Sequence, residues 1–183
     1  HKFIIDFSKE QGFDPLDWMD EFVIFSRNIG PKRSEIVIGD YTLTFTQVVV
    51  RRGLSIFPKW EDDRQRSFYY TDATITPTLY HVNFDSGKRT EILKSDGMLV
   101  CSDVSKDGEN LLVTMAPNDQ ADIYVYNKKS KTSERQTKFR GIDVSANFVE
   151  NDEAIVFVSD RLGKPNIFYK RIGEDAVTQM VYQ

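Results

Sequence analysis

The chain has 183 residues, 40% hydrophobic and 28% charged, with a formal net charge of −4, enough for one or two domains with a real core. The basic pairs Arg51-Arg52 and Lys128-Lys129 are short and far apart, which argues against the clustered Lys/Arg surface of a nucleic-acid binder. A single cysteine, Cys101, rules out an internal disulfide, and no apolar run approaches the roughly 18 to 20 residues of a membrane-spanning helix.

Residues 1–12, HKFIIDFSKEQG, place Phe3, Ile4, Phe7 and Gln11 on one helical face, with Gly12 as a C-terminal stop and Asp14-Pro15 as a breaker. From Phe22 the pattern turns to strands: FVIFSR (22–27), EIVIGDY (35–41) and FTQVVV (45–50), separated by Gly30-Pro31 and Gly39-Asp40. After these comes one unit written three times at a spacing of 44, starting at Phe57, Cys101 and Ser145. Its apolar columns are Trp60/Val104/Phe148, Phe68/Leu112/Val156, Leu79/Ile123/Ile167 and Tyr80/Tyr124/Phe168, in register without insertion. Each copy reads as an inner strand, a polar turn, a second strand, a loop, a third strand and a weaker fourth strand around Ile92, Gln136 and Met180. Lys106-Asp107-Gly108-Glu109 is a hairpin turn, since glycine tolerates positive φ. Ile24 and Phe25 lie 44 residues before Phe68 and Tyr69, so the first three strands read as the second to fourth of an earlier unit whose innermost strand has no counterpart. A strand-built period of this size belongs to propeller blades. The alternative is a β-sandwich with a chance repeat.

The predicted fold is therefore all-β: a partial β-propeller of about four four-stranded blades preceded by one short helix, with residues 1–13 before the propeller and 14–183 within it. The chain opens at His1 without Met and stops at Gln183 inside the third copy, which predicts an internal piece of a longer protein. An open ring leaves two blade faces bare and predicts self-association or further blades.

Catalytic and metal motifs are sparse. G-x-S-x-G, P-loop, H-E-x-x-H and Cys-x-x-Cys patterns are absent; Ser86-Gly87-Lys88-Arg89 reads as a hairpin turn. No catalytic residue, metal or cofactor is expected. His81 reads as a packing residue, Cys101 as a buried small hydrophobe, and Glu61-Asp62-Asp63 and Glu150-Asn151-Asp152-Glu153 as solvated turns. Asp72 and the Ser159-Asp160-Arg161 cluster read as caps of backbone turns.

The stretch FVSDRLGKPNIFYKR (157–171), carrying Ser159, Asp160, Arg161, Gly163, Pro165, Ile167 and Phe168, resembles the signature of the periplasmic TolB propeller family. Gly39-Asp40-Tyr41, Phe57-Pro58-Lys59-Trp60 and the opening helix extend the resemblance over nearly the whole chain, while the S-P-D-G element is degenerate except at Ser105-Lys106-Asp107-Gly108. The resemblance implies a six-bladed, non-catalytic periplasmic ring, here its first blade through most of its fourth, and makes residues 1–13 the last helix of an N-terminal α/β domain. The implied partners are the peptidoglycan-associated lipoprotein Pal, other Tol proteins and colicins, and the implied roles are outer-membrane integrity and cell division. In the family the Pal contacts lie in loops leading into the innermost strands, here Met98, Leu99, Val100 and Cys101, and Ile142, Asp143, Val144 and Ser145. Met98, Leu99 and Ile142 then form an apolar centre with Asp96, Asp103 and Asp143 around it; plain packing between blades is the competing reading. The alternative function is the propeller of a prolyl-oligopeptidase-like or tricorn-like serine peptidase, and a metal-centred lactonase ranks last.

Overall fold

A computed structural model describes residues 2–13 and 16–180. Helix α1 (Lys2–Glu10) ends where Gly12 directs. Gly12 takes φ +68°, and the last turn closes through Gly12 N to Lys9 O at 3.2 Å and Phe13 N to Ser8 O at 3.0 Å. Its buried residues, however, are Ile5 and Ser8, while Phe3 is 80% exposed and Ile4 and Phe7 are about half exposed. The stacked Phe3 and Phe7 rings thus form an outward ridge. The expected breaker Asp14-Pro15 lies outside the described residues. A 3-10 turn (Asp17–Asp20) follows, with Trp18 set edge-on to Tyr41 at 5.4 Å.

The rest is strand. Blade 1 holds β1 (Phe22–Gly30), β2 (Arg33–Asp40) and β3 (Thr46–Arg51). Blade 2 holds β4 (Ser55–Trp60), β5 (Ser67–Asp72), β6 (Thr78–Asn83) and β7 (Lys88–Lys94). Blade 3 holds β8 (Leu99–Val104), β9 (Asn110–Met115), β10 (Asp122–Asn127) and β11 (Thr132–Arg135). Blade 4 holds β12 (Asp143–Val149), β13 (Ala154–Ser159), β14 (Asn166–Arg171) and β15 (Thr178–Gln179). Each blade is an antiparallel meander in sequence order, one three-stranded and three four-stranded, consistent with a partial propeller. The fourth strand is short in blades 3 and 4 but runs seven residues in blade 2. Gly108 (φ +72°) and Gly87 (φ +64°) occupy the two hairpin turns assigned to them.

Strand pairing corrects one apolar column. Trp60 pairs with Phe68, Val104 with Leu111, and Phe148 with Ile155. The first copy therefore has one extra residue in its β4–β5 turn, offset by one fewer in its β5–β6 loop, so Phe68 corresponds to Leu111 and Ile155 rather than Leu112 and Val156. In a strand a shift of one residue exchanges the two faces. Phe68 and Tyr70 pack back onto blade 1 beside Ile36 and Val50. Leu111 and Val113 likewise meet Tyr69 of blade 2, and Ile155 and Phe157 meet Leu112 and Ile123 of blade 3. Each such fully buried side chain contributes about 1.5–3 kcal/mol of transfer free energy. The core is thus a set of interlayers between blades. Leu79 and Ile123 are wholly buried against the next blade, whereas Ile167, at their position in blade 4, is 45% exposed.

The inner strands β4, β8 and β12 each carry a register shift: between Ile56 and Lys59, Cys101 and Asp103, and Val144 and Asn147. Polar links join them. Lys59 Nζ lies 3.0 Å from Asp103, Phe148 N donates to Asp103 Oδ2 at 2.9 Å, and Ser102 Oγ donates to the Ala146 carbonyl at 2.6 Å.

Candidate partner-binding end

The loops leading into the inner strands share a construction that the apolar columns did not reveal. Gly53, Gly97 and Gly141, spaced by 44, immediately precede Leu54, Met98 and Ile142. An added Cβ would stand 1.8 Å from Thr74 Oγ1, 2.0 Å from the Ala116 carbonyl oxygen and 2.0 Å from Asp160 Oδ1, respectively. Only glycine admits this closeness. It lets the loop between the second and third strands dock on the loop leading into the inner strand: Ala73 N donates to Leu54 O at 2.8 Å, Ala116 N to Met98 O at 3.1 Å, and Asp160 N to Ile142 O at 3.4 Å. Met98 and Ile142 consequently stand 41% and 54% exposed at one end of the blades. The same end carries Ile75 and Leu162, 92% and 61% exposed, in the β5–β6 and β13–β14 loops. Ile75, Leu162 and half-buried Leu54 were not anticipated; the glycine repeat and the apolar residues inside polar loops were the available signals.

The remaining expected contact residues divide by the pleat. Leu99 and Cys101 are 1% and 3% exposed and belong to the layer against blade 2. Burial pushes the Cys101 thiol up to about 12, as suits a packed hydrophobe. Val100 and Val144 are half-buried and Ser145 is exposed. Asp143 is fully buried, held by Arg161 Nη2 at 3.2 and 3.1 Å. Arg161 also donates from Nε to Ser159 Oγ at 3.0 Å and lies over Phe168 at 4.9 Å. Asp143 is therefore an internal anchor, and its carboxylate is not available to a partner as placed. Asp160 reaches the loop ahead of β12, accepting from Ile142 N at 2.9 Å, while Asp72 caps its own turn through Thr74 N at 3.1 Å. Asp96 is exposed beside Met98, whereas Asp103 sits at the far end of β8 with Lys59.

The opposite end corrects two further expectations. Glu61 is no solvated turn residue: it accepts from Ser67 Oγ, from Tyr69 Oη at 2.9 Å and from Lys128 Nζ at 3.0 Å, and bonds His81 Nε2 at 2.9 Å. His81 is thus a polar partner rather than simple packing. These bonds, His81 first, hold the Glu61 carboxyl far below its usual 4.5 against the opposing effect of burial. Because the folded value lies below the unfolded one, the contribution is complete above about pH 4.5 and is lost as pH falls below it. We expect Glu61→Gln to cost about 1–3 kcal/mol at pH 7 and to flatten the acid limb of a urea-midpoint series against pH; an acid limb as steep as wild type would contradict this.

Glu61 also borders a cleft of ≈ 970 Å³ that includes Lys59, Trp60, Arg64, Asp103 and Lys106. The start of β1 is clipped at this end: the Gln65 side chain accepts from Phe22 N at 2.8 Å and donates to Phe22 O at 2.9 Å, joined by Trp60 Nε1 at 3.0 Å. Among the described residues no three His, Cys, Asp or Glu side chains converge as a metal site, and no described helix is long and apolar enough to cross a membrane.

Consecutive meander blades joined through apolar interlayers define a segment of a β-propeller. Residues 22–183 match the TolB beta propeller domain. The Tol-Pal system protein TolB of Wolinella succinogenes is 45% identical over 184 residues, covering 100% of this chain and 44% of its own length; that of Helicobacter hepaticus is 44% identical over 181 residues, covering 99% and 43%. The crystal structure of TolB from Acinetobacter baumannii has the same fold, with a TM-score of 0.82 at 23% identity over 97% of this chain and 45% of that one. The chain belongs to the TolB β-propeller family, and it spans less than half the length of the curated relatives it matches.

Proposed function

We propose that the chain is the propeller part of a non-catalytic periplasmic protein of the Tol-Pal system, and that it binds the peptidoglycan-associated lipoprotein Pal through the end carrying Met98 and Ile142. In this reading Pal binding supports outer-membrane integrity and cell division, other Tol proteins are further partners, and colicins are competitors for the same surface. The observation that carries it is the glycine-set presentation of Met98 and Ile142, half-exposed apolar side chains on neighbouring blades. Apolar anchors on loops fixed by a rigid scaffold are the usual core of a protein interface. Val100, Val144 and Ser145 flank them, whereas Leu99, Cys101 and Asp143 act from beneath by holding the strands in place. With those three turned inward, the contact surface contracts to the loop residues and takes in Ile75 and Leu162.

Calorimetry with purified Pal tests the assignment. Met98→Asp and Ile142→Asp in the full-length protein are each expected to weaken binding about 10- to 100-fold, the range of a central apolar contact, with the fold kept. Arg64→Glu, at the opposite end, leaves affinity unchanged. Equal affinity in both aspartate variants and wild type would remove the assignment.

A further inference from the structure

The loops leading into the inner strands place Leu54, Met98 and Ile142 at one repeat position, spaced by 44. Of the three, only Met98 carries an atom that mild oxidants attack, and it is 41% exposed. The chain's other sulfur atoms are placed differently. Met115 stands opposite Leu99 in the pairing of β8 with β9 and is 8% exposed within the layer against blade 2. Cys101 is buried, and with its thiol pushed up to about 12 the thiolate that peroxides consume is scarce at neutral pH. Met19 lies in the 3-10 turn ahead of blade 1, and Met180 follows β15 at the outer edge of blade 4.

We infer that Met98 is an oxidation site, and that its sulfoxide turns the partner-binding end into a weak-binding form. The inference rests on the Pal reading of that end and names its regulation. A hydroperoxide is the oxidant: its O–O bond breaks as an S–O bond forms, the sulfur gives up two electrons, and the peroxide leaves as water or an alcohol. The step is reversible, because a dithiol returns the electrons through methionine sulfoxide reductase, leaving the thioether, water and a disulfide. The sulfoxide oxygen is a polar acceptor on a side chain that was apolar. Burying it against an apolar contact without a donor weakens binding. Leu54 and Ile142 have no sulfur to oxidise, so affinity falls without vanishing. By the same coupling, bound Pal shields Met98 from the oxidant.

The test treats the full-length protein with dilute hydrogen peroxide, follows each methionine by peptide mass spectrometry and measures Pal affinity by calorimetry. Met98 is expected to gain one oxygen well before Met115, and more slowly when Pal is in excess. Affinity is expected to fall about 5- to 100-fold, and to return once reductase has repaired Met98. Met98→Leu, which carries the residue that the repeat has at position 54, is compared with itself before and after peroxide and should show no change. Undiminished affinity of a protein oxidised at Met98 overturns the inference. So does an equal loss in peroxide-treated Met98→Leu, a loss that survives repair of Met98, or oxidation of Met115 as fast as Met98. Failure of the Pal reading shows itself separately, before any peroxide is added, as wild-type affinity in both Met98→Asp and Ile142→Asp, and it takes this inference with it.

Discussion

Replacing Arg161 by alanine is expected to lower stability by about 3–5 kcal/mol, the cost of leaving one member of a buried ion pair unanswered. The Asp143 carboxylate has no exposure at all, and the Arg161 guanidinium contacts it through one nitrogen at 3.2 and 3.1 Å. The guanidinium is itself pinned by Ser159 Oγ and by the rings of Phe139, Phe157 and Phe168 at 5.3, 5.2 and 4.9 Å. Truncation therefore removes packing and cation–π contacts along with the charge. The repeat supplies its own control: where blade 4 has Asp143 and Arg161, blade 3 has Leu99 and Pro117, and Leu99 is 1% exposed in an apolar layer. Combining Arg161→Ala with Asp143→Leu is accordingly expected to recover a large part of the loss, because the stranded charge goes with its partner. Urea denaturation of the wild type, both single variants and the pair measures this. An Arg161→Ala protein within 1 kcal/mol of wild type, a bound set well below the ~3 kcal/mol floor of such losses, would show that the pair is not the anchor described.

Gly97→Ala is the second large effect. Here the obstacle is contact rather than dihedral strain, for the new Cβ would stand 2.0 Å from the Ala116 carbonyl oxygen and 2.9 Å from its carbon. Both are backbone atoms, and they are fixed by the Ala116 N to Met98 O bond at 3.1 Å, so neither can swing aside as a side chain would. Overpacking of this kind costs about 1–3 kcal/mol, sometimes more. Relief requires the two loops to part, which moves Met98. Gly97→Ala should therefore lower both the thermal midpoint and the affinity for Pal, the latter even where the variant is fully folded. Gly141→Ala is expected to be milder in stability, because its nearest neighbour is the Asp160 carboxylate oxygen rather than backbone. Equal midpoints for Gly97→Ala and wild type would contradict the packing account.

The blades were legible because strand length, turn chemistry and a period of 44 all agree. The Phe68 column was misaligned because a one-residue gain in one turn and a one-residue loss in the next loop leave the period intact; only the pairing of Trp60 with Phe68 and Val104 with Leu111 exposes it. At the end proposed for the partner, resemblance alone pointed to the loops, and the inward turn of Leu99 and Cys101 follows from the two-residue alternation of a strand. Asp143 was beyond such reasoning. A carboxylate reads as surface, and the arginine that holds it inside lies 18 residues away on another loop. Glu61 was obscured for the same reason, since its partners range from Ser67, six residues on, to Lys128, 67 residues on. The α1 ridge of Phe3, Ile4 and Phe7 was correctly placed on one helical face, but periodicity says nothing of whether a face is covered, and this one stands open.

Site-specific photo-crosslinking tests the central assignment most directly. A benzophenone side chain is placed at position 142 in one full-length variant and at position 64, on the opposite end, in another, and each is irradiated with Pal. The account predicts a Pal adduct from position 142 and none from position 64. An adduct from position 64 with none from position 142 would place the partner at the other end of the propeller and contradict it.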